Sequence, residues 1–228
     1  MHADVELLRA ACERDLGDPT RWFESTGHPN SLALCVLDAI YSPGARRATV
    51  DKVIARYRGY RAAQASDADT DGLGELLATI AELGGPDPWA TQIGNRRPTS
   101  TAAGAPLRSV AVASVAHALV ALGIRTAEEL RAVAADQLGR EQARVVWCAA
   151  PGQRSGFTWD YTLMLAQIPG TTAEQTVVGY VAREVSEISA TRAAELVRDV
   201  ADANGWNAVA LEHAIWRFES GRPHQRAS

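Results

Sequence analysis

GREQARVVWCAAPGQRSGFTWDYTLMLAQIPGTTAEQTVVGYV, residues 139–181, is the stretch whose reading decides the fold. An apolar, helix-periodic segment runs up to Ala149 and is broken by Pro151-Gly152-Gln153-Arg154-Ser155-Gly156. A second apolar segment starts at Phe157, and a third opens beyond Gly170 with Glu174 in its first turn. Pro and Gly at the edges of so short a break make a tight hairpin between helices. Such a hairpin turns backbone N–H groups outward, where an anion such as a DNA phosphate can sit. A carboxylate at a fixed distance downstream is then placed to act on whatever the hairpin holds.

On both sides of this stretch the periodicity stays helical. Val50, Val53, Ile54, Tyr57 and Tyr60 form one apolar stripe; Leu107, Val110, Ala111, Ala118, Leu119 and Leu122 form another, closed by Gly123. After the hairpin come Phe157, Tyr161, Met164, Leu165 and Ile168, then Val177, Val178, Val181, Val185 and Ile188. Ala193, Ala194, Val197 and Val200 lead to Asn204-Gly205, a strong C-terminal stop, and Leu211, Ile215 and Phe218 mark the last helix. Alternating strand patterns are missing, so the fold class is all-α. Ser42-Pro43-Gly44, Gly84-Gly85-Pro86, the polar run 95–106 and Pro169-Gly170 are the loops. No long linker divides the chain, so residues 1–220 read as a single helical domain and 221–228 as a frayed tail.

With 228 residues, 46% of them hydrophobic, the chain has ample material for a core. No apolar run reaches membrane-span length, and residues 1–18 carry several acids and no signal-peptide core. Cys12, Cys35 and Cys148 are scattered, with no spacing for zinc, iron–sulfur or disulfides, so a cytoplasmic protein without metal or cofactor is expected. The net charge of −4 hides an asymmetry. Arg46, Arg47, Lys52, Arg56, Arg58 and Arg61 face the single acid Asp51, whereas Asp67, Asp69, Asp71, Glu75 and Glu82 follow. Two readings fit: one face that attracts phosphates, or a solvated helix balanced by its neighbour.

In order and character, residues 30–218 resemble the helix–hairpin–helix DNA glycosylase superfamily, the endonuclease III-like fold. Leu32 to Tyr41, the Ser42–Arg47 loop and the basic helix look like its early helix pair and DNA-facing loop. Ile93 to Ser100, with Asn95, Arg96 and Arg97, resembles the middle turn; Ala150-Pro151-Gly152 resembles the Leu-Pro-Gly hairpin start. Glu174, ahead of Val177-Val178, falls where the superfamily keeps its catalytic aspartate. Leu211 to Phe218 is similar to a bacterial branch of such proteins lacking the iron–sulfur cysteines after the last helix.

The resemblance implies two helical lobes with a cleft, and a nucleoid-associated, monomeric protein acting on double-stranded DNA that carries a modified or damaged base. Gly152, Gln153, Arg154, Ser155, Gly156, Arg46, Arg47, Asn95, Arg96 and Arg97 would hold the backbone. The target nucleotide would flip out, with Trp159, Tyr161 and Trp89 as candidates to stack on it. Ionised Glu174 would stabilise the sugar oxocarbenium ion and orient water, the reaction of a DNA N-glycosylase in base excision repair.

Three departures sharpen that expectation. The family hairpin reads Gly-x-Gly, whereas Gly152-Gln153-Arg154 places the next glycine at 156, giving a longer turn. Glu174 replaces aspartate, and its extra methylene displaces the carboxylate by about an ångström, a shift that can cost ~10²-fold in rate. Relatives that also cut the strand use a lysine just after the hairpin. Gly156 and Phe157 stand there, and no lysine follows Lys52, the only one in the chain. A lyase step by that route is excluded, which leaves a monofunctional glycosylase or a catalytically inactive protein that recognises distorted duplex. An all-α scaffold with no nucleic-acid role is the remaining rival.

Overall fold

Helix accounts for all regular structure among the described residues, as the periodicity predicts: twelve α-helices, two 3-10 turns and two isolated β-bridges. This computed structural model describes residues 2–23, 27–168 and 172–225, with the side chains of residues 2 and 172–174 outside the description. The helices are α1 (His2–Leu16), α2 (Leu32–Tyr41), α3 (Arg47–Ala63), α4 (Leu73–Glu82), α5 (Pro86–Gln92) and α6 (Arg108–Ala121), then α7 (Ala127–Ala134), α8 (Gln137–Ala149), α9 (Phe157–Leu165), α10 (Thr172–Glu184), α11 (Ala190–Asn204) and α12 (Ala208–Glu219). The chain divides into two units, one continuous over 27–168 and one made from 1–26 with 169–228.

In the continuous unit α2 is the centre, because all ten of its residues are buried. A helix apolar on every side belongs inside, and α3, α4, α6 and α9 surround it. Ser31 starts it by accepting the Leu34 N–H at 3.2 Å, while its own hydroxyl donates to the carbonyls of Ala68 and Asp71. Val50, Val53, Ile54 and Tyr57 are buried as the α3 stripe requires. On α6 the buried side is Ala111, Val112, Val115, Ala116 and Leu119, whereas Leu122 is exposed. The predicted α6 stripe is therefore rotated. Its small side chains let α2, α4, α5 and α8 approach from several directions, so no single stripe specifies the packing.

The other unit packs Leu8, Ala11, Cys12 and Leu16 of α1 against Val177 and Val181 of α10, Leu196, Val197 and Val200 of α11, and Leu211 and Ile215 of α12. α11 stops where the sequence says, with Gly205 in the left-handed region at φ 66°.

Candidate nucleic-acid interface

Two successive turns build the α8–α9 hairpin. The Gln153 N–H donates to the Ala150 carbonyl at 3.1 Å, around Pro151 and a left-handed Gly152 at φ 76°, the residue pattern of a type II turn. The Gly156 N–H then donates to the Gln153 carbonyl, and Gly156 at φ 71° is the N-cap of α9, where the Ser155 hydroxyl accepts the Phe157 N–H at 3.4 Å. A buried chain of hydrogen bonds braces this loop. The Trp147 indole donates to the Thr158 hydroxyl at 2.9 Å, that hydroxyl donates to Gln153 Oε1, and Gln153 Nε2 donates to the Pro151 carbonyl. Gln153, expected to touch DNA, is buried and spends its amide inside the hairpin. Arg154 and Ser155 are exposed, and no ion pair engages Arg154 among the described residues.

A second loop lies against the hairpin and is joined in turn to a third. Thr99 abuts Gly152 closely enough that a Cβ there would lie 2.7 Å from Thr99 Cβ. Arg97 donates to the Gly44 carbonyl at 3.3 Å, joining the 95–107 loop to the α2–α3 loop. That loop is held from α6 by Arg108, whose guanidinium donates to the carbonyls of Ile40, Tyr41 and Pro43. Burial, with Arg97 close by, pushes Arg108 below its ordinary value. Asn95 uses its side-chain oxygen to accept the Arg97 N–H, as in an Asx turn.

The cations divide into spent and unspent. Arg47 was expected on DNA but turns inward, Nη1 donating to both Asp38 oxygens and Nε pairing with Asp51. Arg58 pairs with Asp69, and Arg61 with the buried Asp71, which also accepts from the Tyr57 hydroxyl. Arg56 donates to the carbonyls of Ile93 and Gly94. For most of α3, then, the neighbouring acids do balance the bases. Arg96, also expected on DNA, makes a two-pronged pair with Asp87, though both are exposed and can part cheaply. Arg46 and Lys52 stay exposed, with no ion pair among the described residues.

The aromatic candidates do not form an open platform. Trp89 is fully buried and its indole donates to Thr79; Trp159 packs on Trp147 with ring centroids 5.7 Å apart. Tyr161 is buried with its hydroxyl on Asp38 at 3.4 Å. All three are core residues here. Burial in helices that pack on both sides is what the sequence could not separate from a pocket wall. Glu174 lies in the first turn of α10, and its side chain falls outside the described residues.

One cluster escaped the sequence reading. Asp38 is fully buried in α2 and gathers Arg47, His28 (Nε2 to Oδ2 at 3.2 Å), the Ser42 hydroxyl at 3.1 Å and Tyr161. Burial alone would raise the Asp38 carboxyl, but His28 and Arg47 outweigh it and hold it well below the usual carboxylate range. The available signal was one carboxylate inside the otherwise apolar LALCVLDAIY.

An all-helical protein with a glycine-bounded hairpin is the class these features define. A match to the family described as Domain of unknown function (DUF8548) spans residues 6–220, and the chain belongs to that family. No curated protein and no solved structure matches it.

Proposed function

We propose that this protein binds duplex DNA through the α8–α9 hairpin and its two adjoining loops, and acts as a monofunctional DNA N-glycosylase of the helix–hairpin–helix kind. The observation that carries the reading is the hairpin, with left-handed Gly152 and Gly156, an α9 start whose N-cap is a glycine, and an exposed Arg154 with no ion pair among the described residues. Backbone amides at such a turn favour an anion, and Arg154 adds a full charge beside them. Arg46 and Arg97 on the adjoining loops extend the cationic surface.

In this reading the flipped nucleotide loses its base when the C1′–N bond breaks and the electron pair leaves with the base. Ionised Glu174 stabilises the oxocarbenium ion, and water adds to C1′ and gives up a proton. The absence of lysine after Lys52 ends the reaction at the abasic sugar. A second reading, duplex recognition without excision, is favoured by Glu174 standing where relatives by resemblance use aspartate. Oligonucleotides carrying uracil, oxidised, alkylated or hypermodified bases, incubated with the protein and then cleaved with alkali, separate the two. Excision predicts product from at least one substrate, lost in Glu174→Gln while binding persists. Binding with no product from any of them supports recognition alone, and no binding at low salt sinks both.

A further inference from the structure

A buried carboxylate is costly unless its partners are fixed, and Asp38 is fully buried with partners drawn from both ends of one DNA-facing loop and from the hairpin's second helix. Ser42 begins the α2–α3 loop and Arg47 ends it, and both reach Asp38. Tyr161 comes from α9, the helix that leaves the hairpin. His28 belongs to a segment stitched to the same helix, because its N–H donates to the Leu165 carbonyl at 2.7 Å. Gly27 beside it leaves no room for a Cβ against that carbonyl. One carboxylate therefore ties the loop that displays Arg46 to the helix that carries the hairpin. An apolar side chain could fill the space but would direct neither loop end.

We infer that Asp38 is a positioning residue that fixes Arg46 at the spacing from the hairpin at which both engage one duplex, an inference that rests on the DNA-binding reading. Held in register, the second contact acts at high effective concentration; released, it contributes little. Arg108 and Arg97 still hold the loop from the other side, so loss of Asp38 loosens the α3 start without erasing the loop.

The test is duplex affinity of the full chain, with Arg46→Ala and Arg154→Ala each made in wild type and in Asp38→Asn. In wild type each arginine variant should weaken binding several-fold. In Asp38→Asn, overall affinity should fall several-fold, by no more than Arg46→Ala costs in wild type, Arg154→Ala should keep its cost, and Arg46→Ala should cost less than about twofold. A merely structural loss would reduce both arginine contributions together. An unchanged cost for Arg46→Ala overturns the inference, as does tighter binding from an Arg47 freed to reach phosphate. Should Asp38→Asn fail to fold, Tyr161→Phe removes only one hydroxyl and must lower the Arg46→Ala cost in the same direction; no change overturns the inference. If wild type binds no duplex, the functional reading falls and takes this one with it.

Discussion

A methyl group added at Gly152 would meet Thr99 Cβ at 2.7 Å on a backbone at φ 76°, whereas one at Gly44, at φ 63°, would meet open space. Gly44→Ala should therefore cost only the left-handed strain, about 1 kcal/mol, and Gly152→Ala that plus a packing clash, about 2–4 kcal/mol in all. Paired urea midpoints check the difference. Asp38 makes a residue-scale statement about acid. Its carboxyl sits below its unfolded value, so the stability it contributes is complete above about pH 4 and drains away as pH falls toward the folded value. The gap in thermal midpoint between wild type and Asp38→Asn should be widest near neutrality and shrink as pH drops from about 5 to 2. A gap that grows toward acid would show that the carboxylate is not stabilised by its partners.

At the scale of elements, α3 shows what sequence can and cannot say. Its apolar stripe, its cationic character and the loop before it were legible, because each is a local pattern. The fate of its cations was not, because Asp38, Asp69 and Asp71 reach Arg47, Arg58 and Arg61 only through tertiary contact. The hairpin behaved in the same mixed way. Its glycines and helix boundaries were readable, but Gln153 turning inward depends on Thr158 and Trp147 meeting across the two helices. Glu174 shares a first turn with its helix as the pattern implied, while its side chain lies outside the described residues. The charge accounting has a measurable consequence. Counting exposed Arg46, Lys52, Arg97 and Arg154, which no carboxylate pairs with among the described residues, as the contacts of this surface, the log–log salt slope of duplex binding should be roughly −3 to −4, since each phosphate contact contributes about −0.9. Arg154→Ala should flatten it by about one contact, and Arg58→Ala should leave it unchanged. A slope near −6 would mean that the internal ion pairs open on DNA.

The whole molecule separates into a continuous unit that carries the hairpin and its two adjoining loops, and a unit assembled from both ends that carries Glu174. Residues 27–168 expressed alone should bind duplex with the salt slope of the full chain and yield no abasic product. Loss of all binding by a folded fragment would move the grip elsewhere. Among the described residues no helix is long and apolar enough to cross a membrane, and no group of three or more His, Cys, Asp or Glu is placed to hold a metal ion. The split assembly also sets an order of events during synthesis. α1 packs on α10, α11 and α12, and every residue of the other unit is made in between. At ~5–20 residues per second, Leu8, Ala11, Cys12 and Leu16 spend on the order of ten seconds or more on the ribosome with no surface to cover them. Meanwhile residues 27–168 have already emerged and are free to fold. The earliest of these helices to be translated is thus among the last to find its place.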